Sequence, residues 1–471
     1  MIRSSIFALL ILIGLSSCAT YYQTNQKFNS EFQQGKLEAA EKTLSSDKKG
    51  EEGRNRFLYL VNQGVVNSMM GNYELSNNYL EKAYIFGEDH RKSVGEEALA
   101  MVSNPMVTTY PGEDHEHLLI LYYKALNYMM MGKTEQALVE CRRLDIRQYA
   151  LSDKYKSERK YRKDAFIHTL MGICYDADKD YNNAFIAYRN AYEIYKNDYK
   201  KLFNIDAPYQ LKEDLIRTAL LSGFPDEADQ YRKAFNIDYR LPKDYRKQAG
   251  ELVFFWNNGL GPVKAEWSVN FTLGSNTGMV TFANQDLGLN FAFPYSPGDN
   301  KNNDLTDLNF IRVAFPKYVE RPTVFSGGTL TGEGLNLKMN EVEDVNAIAF
   351  KTLQERMLLE FSKSLMRVAL KKAAEYGMRE QNQNAGLALG ILNALTEKAD
   401  TRNWQTLPHT IYYTRAPLKS GENNFDLQLK SKLGAQYNQT HHFKFTGNPG
   451  KTIFQSFSSL EIDPRWRQPG Y

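Results

Sequence analysis

Few residues in this chain have the types and spacing to do chemistry, and most can be weighed on geometry alone. His115-Glu116-His117 sets two imidazoles two positions apart. On a helix they diverge by about 200°, and on a strand they face opposite sides, a poor arrangement for holding one metal ion. His441-His442 point to opposite faces of a strand in the same way. Gly327-Gly328 and Gly332-Glu333-Gly334 lack the strand–loop–helix context and the lysine of a phosphate loop, so they read as β-turns. No G-x-S-x-G elbow occurs. Cys141 and Cys174 sit on apolar helix faces, where two buried thiols or one helix-packing disulfide are both open. The expectation is a chain with no catalytic constellation, no metal site and no cofactor, whose work is binding.

Composition agrees with a binding role. The 58 Lys and Arg nearly balance the 55 Asp and Glu, for a net charge of +3, so nothing points to nucleic acid. At 471 residues two or three domains are expected. The 30 Tyr and 26 Phe suit aromatic helical packing and half-buried strands.

The first residues set the compartment. Arg3 precedes an apolar run, Ile6 to Leu15, that is too short to span a bilayer and fits a signal-peptide core. It ends in Leu15-Ser16-Ser17-Cys18, which resembles a bacterial lipoprotein signal. That resemblance implies cleavage after residue 17, acylation of Cys18 and a membrane contact through the lipid. Ala19, where an Asp would resemble an inner-membrane retention signal, favours the outer membrane. No acidic cluster follows Cys18, which favours its periplasmic face.

The elements that position everything else are helical. Tyr161 to Tyr195 reads as two antiparallel helices, with Gly172, Ala184 and Ala191 where they touch and Tyr175, Tyr181 and Tyr188 between them. This order resembles the tetratricopeptide (TPR) repeat. A small or turn residue followed five positions later by a small one recurs at Gly35/Ala40, Gly71/Ser76, Gly132/Ala137, Lys179/Ala184 and Gly223/Ala228. Five helix pairs are therefore expected, with inserts near 88–116 and 145–161.

Past Leu241-Pro242 the apolar period drops toward two. Val253–Trp256 and Val263–Leu273 read as a strand and its return across a Gly-Pro turn. Further strands are expected at 279–282, 289–293, 310–315, 335–339, 410–414 and 425–429, and 442–445 with 452–457 reads as a closing hairpin. Helical spacing interrupts them at 344–376, and a second helix is expected at 385–398, with Gly386 and Gly390 for close helix approach. The expected fold is α+β in two domains: a TPR-like all-α solenoid over 18–244, and a β-sandwich-like domain over 245–471 with a helical pair inserted near 344–398.

The lipoprotein signal, the TPR-like helices, Asn258-Gly259-Leu260-Gly261-Pro262 and the stretch Ala399 to Pro408 together resemble a family of bacterial TPR-containing lipoproteins. The resemblance brings no reaction with it. It implies that the first helix of each pair lines a concave face, here Val61, Val65 and Met69, then Tyr122, Leu126 and Met129, then Thr169, Ile173 and Asp176. Such a face suits a peptide or helix of a protein partner. It is equally open that inserts or the β-rich half bury it. Asp400, Arg402 and Trp404 either anchor the chain's return from the helical insert or form a ligand site.

The function expected is a non-enzymatic scaffold for a protein partner in envelope machinery. The alternative is a glycan-binding lipoprotein using Trp256, Trp267 and Trp404; an envelope hydrolase ranks last.

Overall fold

Five helical hairpins follow one another, each turning on the residue that the spacing singles out. The computed structural model describes residues 25–47, 50–90, 105–154, 163–242, 245, 250–276, 279–284, 289–294, 311–381, 383 and 398–467. The hairpins are α1 (Gln26–Gln33) with α2 (Leu37–Ser45), α3 (Arg56–Met69) with α4 (Tyr73–His90), α5 (Asp114–Met130) with α6 (Thr134–Lys154), α7 (Ala165–Ala177) with α8 (Tyr181–Ile194), and α9 (Tyr209–Leu221) with α10 (Pro225–Phe235). The turns reverse through left-handed backbone at Gly35, Gly71, Gly132, Lys179 and Gly223, conformations that glycine adopts without cost and lysine does not. Five positions on, Ala40, Ser76, Ala137, Ala184 and Ala228 are fully buried, because only a small side chain lets the paired helices close. Cys18 and the signal-like run lie outside the described residues, and no described helix is long and apolar enough to cross a membrane.

α8 runs on through a π-helical turn, Tyr195–Tyr199. The wide turn re-aims two tyrosines onto the β-rich half: Tyr195 donates to the Val342 carbonyl at 2.6 Å and Tyr199 to Glu343 Oε2 at 3.0 Å.

Twelve strands are described: β1 (Glu251–Asn258), β2 (Val263–Asn276), β3 (Met279–Asn284), β4 (Leu289–Pro294), β5 (Ile311–Val319), β6 (Phe325–Gly332), β7 (Leu335–Lys338), β8 (Asn340–Asp344), β9 (Thr410–Pro417), β10 (Gly421–Ser431), β11 (Gln439–Gly447) and β12 (Thr452–Ser459). They form three sheets, ordered β12-β1-β9-β8, β11-β10-β6-β7 and β4-β3-β2-β5. The long helix α11 (Val345–Gln381) joins β8 toward β9 and lies on β5, with Phe361 4.3 Å from the Phe315 ring. The helix expected at 385–398 falls outside the described residues but for its last position.

β1 is buried on both sides. Leu252, Phe254 and Trp256 enter one core with Phe325, Leu330, Leu427 and Leu429 of the second sheet. Val253 and Phe255 enter another that runs back to Phe28 in α1. Helices and sheets thus share a continuous core rather than meeting at a wet interface.

Two expected pairings are corrected. β1 and β2 are not a hairpin: β1 pairs antiparallel with β9 and parallel with β12, while β2 pairs with β3 and β5. Nor are β11 and β12: the turn at 447–450 carries the chain from the second sheet to the first. Gly327-Gly328 lies within β6 rather than in a turn, opposite Leu429 and Lys430 of β10. At Gly328 a side chain would press on the Trp256 indole, which is what the glycine is for.

Candidate functional site

The concave face of the hairpins is not an open groove. Val61, Val65, Tyr122, Leu126, Met129, Thr169, Ile173 and Asp176 are all buried, and only Met69 is half-buried. Of the two readings left open, burial is what the structure shows for these residues, and the chain's own β-rich half packs into the concavity. Tyr122 reaches Asn257 of β1 at 3.5 Å and its ring packs on Phe166, which meets Phe255.

The segment 399–408 is the deepest insertion. Trp404 is 1 % exposed, with its ring 5.8 Å from Tyr123. Its backbone N–H donates to Glu116 Oε1 at 2.6 Å, and its indole N–H to Thr406 Oγ1, which donates to Asn62 in α3. Arg402 pairs with Asp400 at 2.7 Å and donates to the carbonyls of Pro105 and Thr108 at 2.8 Å each. Asp400, Arg402 and Trp404 therefore tie the return from α11 to the hairpins.

Asp176 belongs to a buried ionic cluster between the halves. Arg217 of α9 pairs with Asp176 and, at 2.9 Å, with Asp214; Arg415 of β9 lies 2.8 Å from Asp176 and pairs with Glu251 of β1. Tyr188 and Tyr413 donate to Asp176 and Asp214. Burial would raise the Asp176 carboxyl, but the two guanidiniums outweigh it and hold the group below its usual range.

A second cluster meets at the N-terminus of α5. Glu113 is bound by Lys264 of β2 and Arg356 of α11, which overcome its burial and pull it far below the carboxylate range. Three residues on, burial and then the Glu113 charge push Glu116 up to about 7 although it accepts from Tyr110, Glu113 N and Trp404 N. Burial lowers neighbouring His115 to about 4, and its Nδ1 lies 3.3 Å from Thr352 Oγ1. His117 Nε2 lies 2.8 Å from the Pro111 carbonyl. The two rings diverge as the spacing requires, and no metal-binding group of side chains occurs among the described residues. Cys141 and Cys174 are buried free thiols, Cys141 pushed by burial up to about 12; such thiols are inert.

Where the β-rich half leaves the concavity uncovered, a groove of about 820 Å³ remains. The α1–α2 and α3–α4 turns form one wall, Tyr123, Leu126 and Met130 of α5 the floor, and the backbone of Gln455 to Glu461 the other wall. Of the nine concave-face positions expected from sequence, Met69 and Leu126 line it. Sequence reasoning missed Met70, Met130 and β12. The apolar Ile453, Phe454 and Phe457 mark β12 as a strand, but nothing local says that it ends its sheet.

No family model and no curated protein sequence matches this chain. Among solved structures the chain is similar to the apo form of RapI, at 17 % identity over 51 % of this chain and 61 % of that one, with a TM-score of 0.33. It is also similar to BtubC from P. vanneervenii, at 16 % over 51 % and 89 % with a TM-score of 0.31, and to MamA from Desulfovibrio magneticus RS-1, at 14 % over 46 % and 95 % with a TM-score of 0.29. The likeness is to the helical half and at these scores does not extend to the whole architecture.

Proposed function

We propose that this protein is a non-enzymatic adaptor that holds a segment of a partner protein in the groove between the first hairpin turns and β12. The observation that supports this reading is the shape of what is left open. The chain occupies most of its concave face with its own β-rich half, yet leaves a groove of about 820 Å³ lined by β12 and by Met69, Met70 and Met130 of the hairpins. A recess of that size holds a short peptide segment as readily as a small molecule; its elongated lining by one strand and its methionines, which adapt to varied apolar partners, favour the peptide. The clusters at Asp176 and Glu113 join helices to strands, a use that fixes architecture. In this reading residues 18–244 form a TPR-like domain and 245–471 a β-sandwich-like domain docked into it. Acylated Cys18 holds both at the periplasmic face of the outer membrane, where the partner belongs to secretion, cell-wall synthesis or outer-membrane assembly.

The glycan alternative loses its residues. Trp256 and Trp404 are sealed in the core and cannot stack on a sugar, and the half-buried Trp267 has its ring against Phe315 and Phe361.

A photo-crosslinking residue placed at Met70 in intact cells tests the proposal. A partner protein joined from Met70 and not from Ile146, which is exposed on α6, is the expected result. No adduct from Met70, or the same adducts from both positions, overturns it.

A further inference from the structure

The edge strands of the three sheets differ in one respect. An edge presents unpaired backbone donors and acceptors, and proteins blunt such edges with charges or proline. β8 carries Glu341, Glu343 and Asp344, and β11 carries His441, His442 and Lys444. β7 ends in Lys338, β4 in Pro294, and β5 holds Arg312, Pro316 and Lys317. β12, Thr-Ile-Phe-Gln-Ser-Phe-Ser-Ser, has neither a charge nor a proline. It is also the edge whose backbone forms a wall of the groove.

We infer that the groove takes its partner by strand addition: an extended, uncharged segment of about five residues pairs with β12 as a fifth strand of the β12-β1-β9-β8 sheet. This rests on the groove being the partner site. The five consecutive β12 residues Gln455 to Ser459 along the groove set the length, about 17 Å of extended chain. Pleating turns alternate side chains of the added strand toward the hairpins, where Met69, Met70 and Met130 take apolar groups. Charge fixes the composition. Glu461 is the one charged residue among those lining the groove, so a charged segment would lose water with nothing to meet it, except for one cation at the Glu461 end. An unblunted edge is a hazard in the open; set in a recess it is a selective template.

The test uses the full chain in detergent and a displayed library of random seven-residue peptides. Enriched sequences are expected to be uncharged, to alternate apolar residues and to be lost on Met70→Glu. The best peptide should slow hydrogen exchange at the outward-facing amides of Ser456 and Ser458 at least tenfold, and N-methylating alternate amides along it should weaken binding at least tenfold. Enrichment of amphipathic helical or charged peptides, binding that leaves those amides unprotected, or indifference to N-methylation overturns strand addition while the groove remains the site. A concentration-dependent dimer abolished by Ser456→Lys would instead make a second copy the occupant and overturn it. Protection of the Ser456 and Ser458 amides in the chain alone, removed by deleting residues 19–24, would make that segment the occupant with the same consequence. No Met70-dependent enrichment, together with no Met70 adduct in cells, removes the underlying reading as well.

Discussion

The backbone N–H of Trp404 donates to Glu116 Oε1 at 2.6 Å. One residue belongs to the return from the α11 insertion, the other to the first turn of α5. The bond is one of the contacts that join the β-rich half to the helical concavity, with the Asp176 and Glu113 clusters and the shared core.

Glu116 makes that joint sensitive to pH. Its native carboxyl titrates at about 7, above the ordinary 4.5, so between those values the native state binds more protons than the unfolded chain. Its contribution therefore falls as pH rises from about 4.5 through 7, by at most roughly 1.4 kcal/mol per pH unit. His115 acts oppositely. It is held near 4, so its contribution is lost as pH falls from 6.5. Comparing Glu116→Gln with the parent isolates the first effect. The stability difference, from denaturant melts at pH 5 to 8, should move in favour of Gln as pH rises. A difference that does not change with pH contradicts the assignment.

Arg415→Met should cost about 3–5 kcal/mol in denaturant unfolding, because it strands Asp176, Asp214 and Glu251 with Arg217 as their remaining guanidinium. Arg415→Lys should recover little of it, since one ammonium cannot meet carboxylates from three elements. A loss below 1 kcal/mol for Met would mean the cluster does not lock the halves.

Lys179 occupies a left-handed position, φ 64°, that four sister turns give to glycine. Lys179→Gly should stabilise the protein by up to about 1 kcal/mol, the strain it removes less the entropy that glycine adds to the unfolded chain. A fall in melting temperature would contradict this.

Cys18→Ser should move the protein from the membrane fraction to the soluble fraction and abolish fatty-acid labelling, since acyl chains on that thiol are the proposed anchor. Retention in the membrane fraction would place the anchor elsewhere.

The hairpins were legible because their signal is local. A turn residue and a small residue five positions apart lie in one sequence window, so even Lys179/Ala184 stood out. Most strand positions are legible from alternation, but β6, whose Gly327-Gly328 reads as a turn, and the short β8 are not, and neither are the pairing partners. β11 and β12 are adjacent in sequence and read as a hairpin, while β12 pairs with β1, which begins some 200 residues earlier. The concave face failed for the same reason. Apolar periodicity marks Val61, Tyr122 and Ile173 as facing inward, yet a partner and the chain's own β-rich half satisfy that pattern equally. Asp400, Arg402 and Trp404 could be read as an anchor from their place beside an insertion, but their contacts, Thr108, Pro105 and Glu116, lie about 290 residues away.

The central claim is that the partner sits on the β12 groove. Its most direct test is the affinity of the protein captured from Met70 for two variants of the purified full chain, Met70→Glu in the groove and Ile146→Glu on the exposed face of α6. The account predicts at least tenfold weaker binding for Met70→Glu, about 1.4 kcal/mol or more, and unchanged binding for Ile146→Glu. Equal affinity for the two, or loss confined to Ile146→Glu, would contradict it.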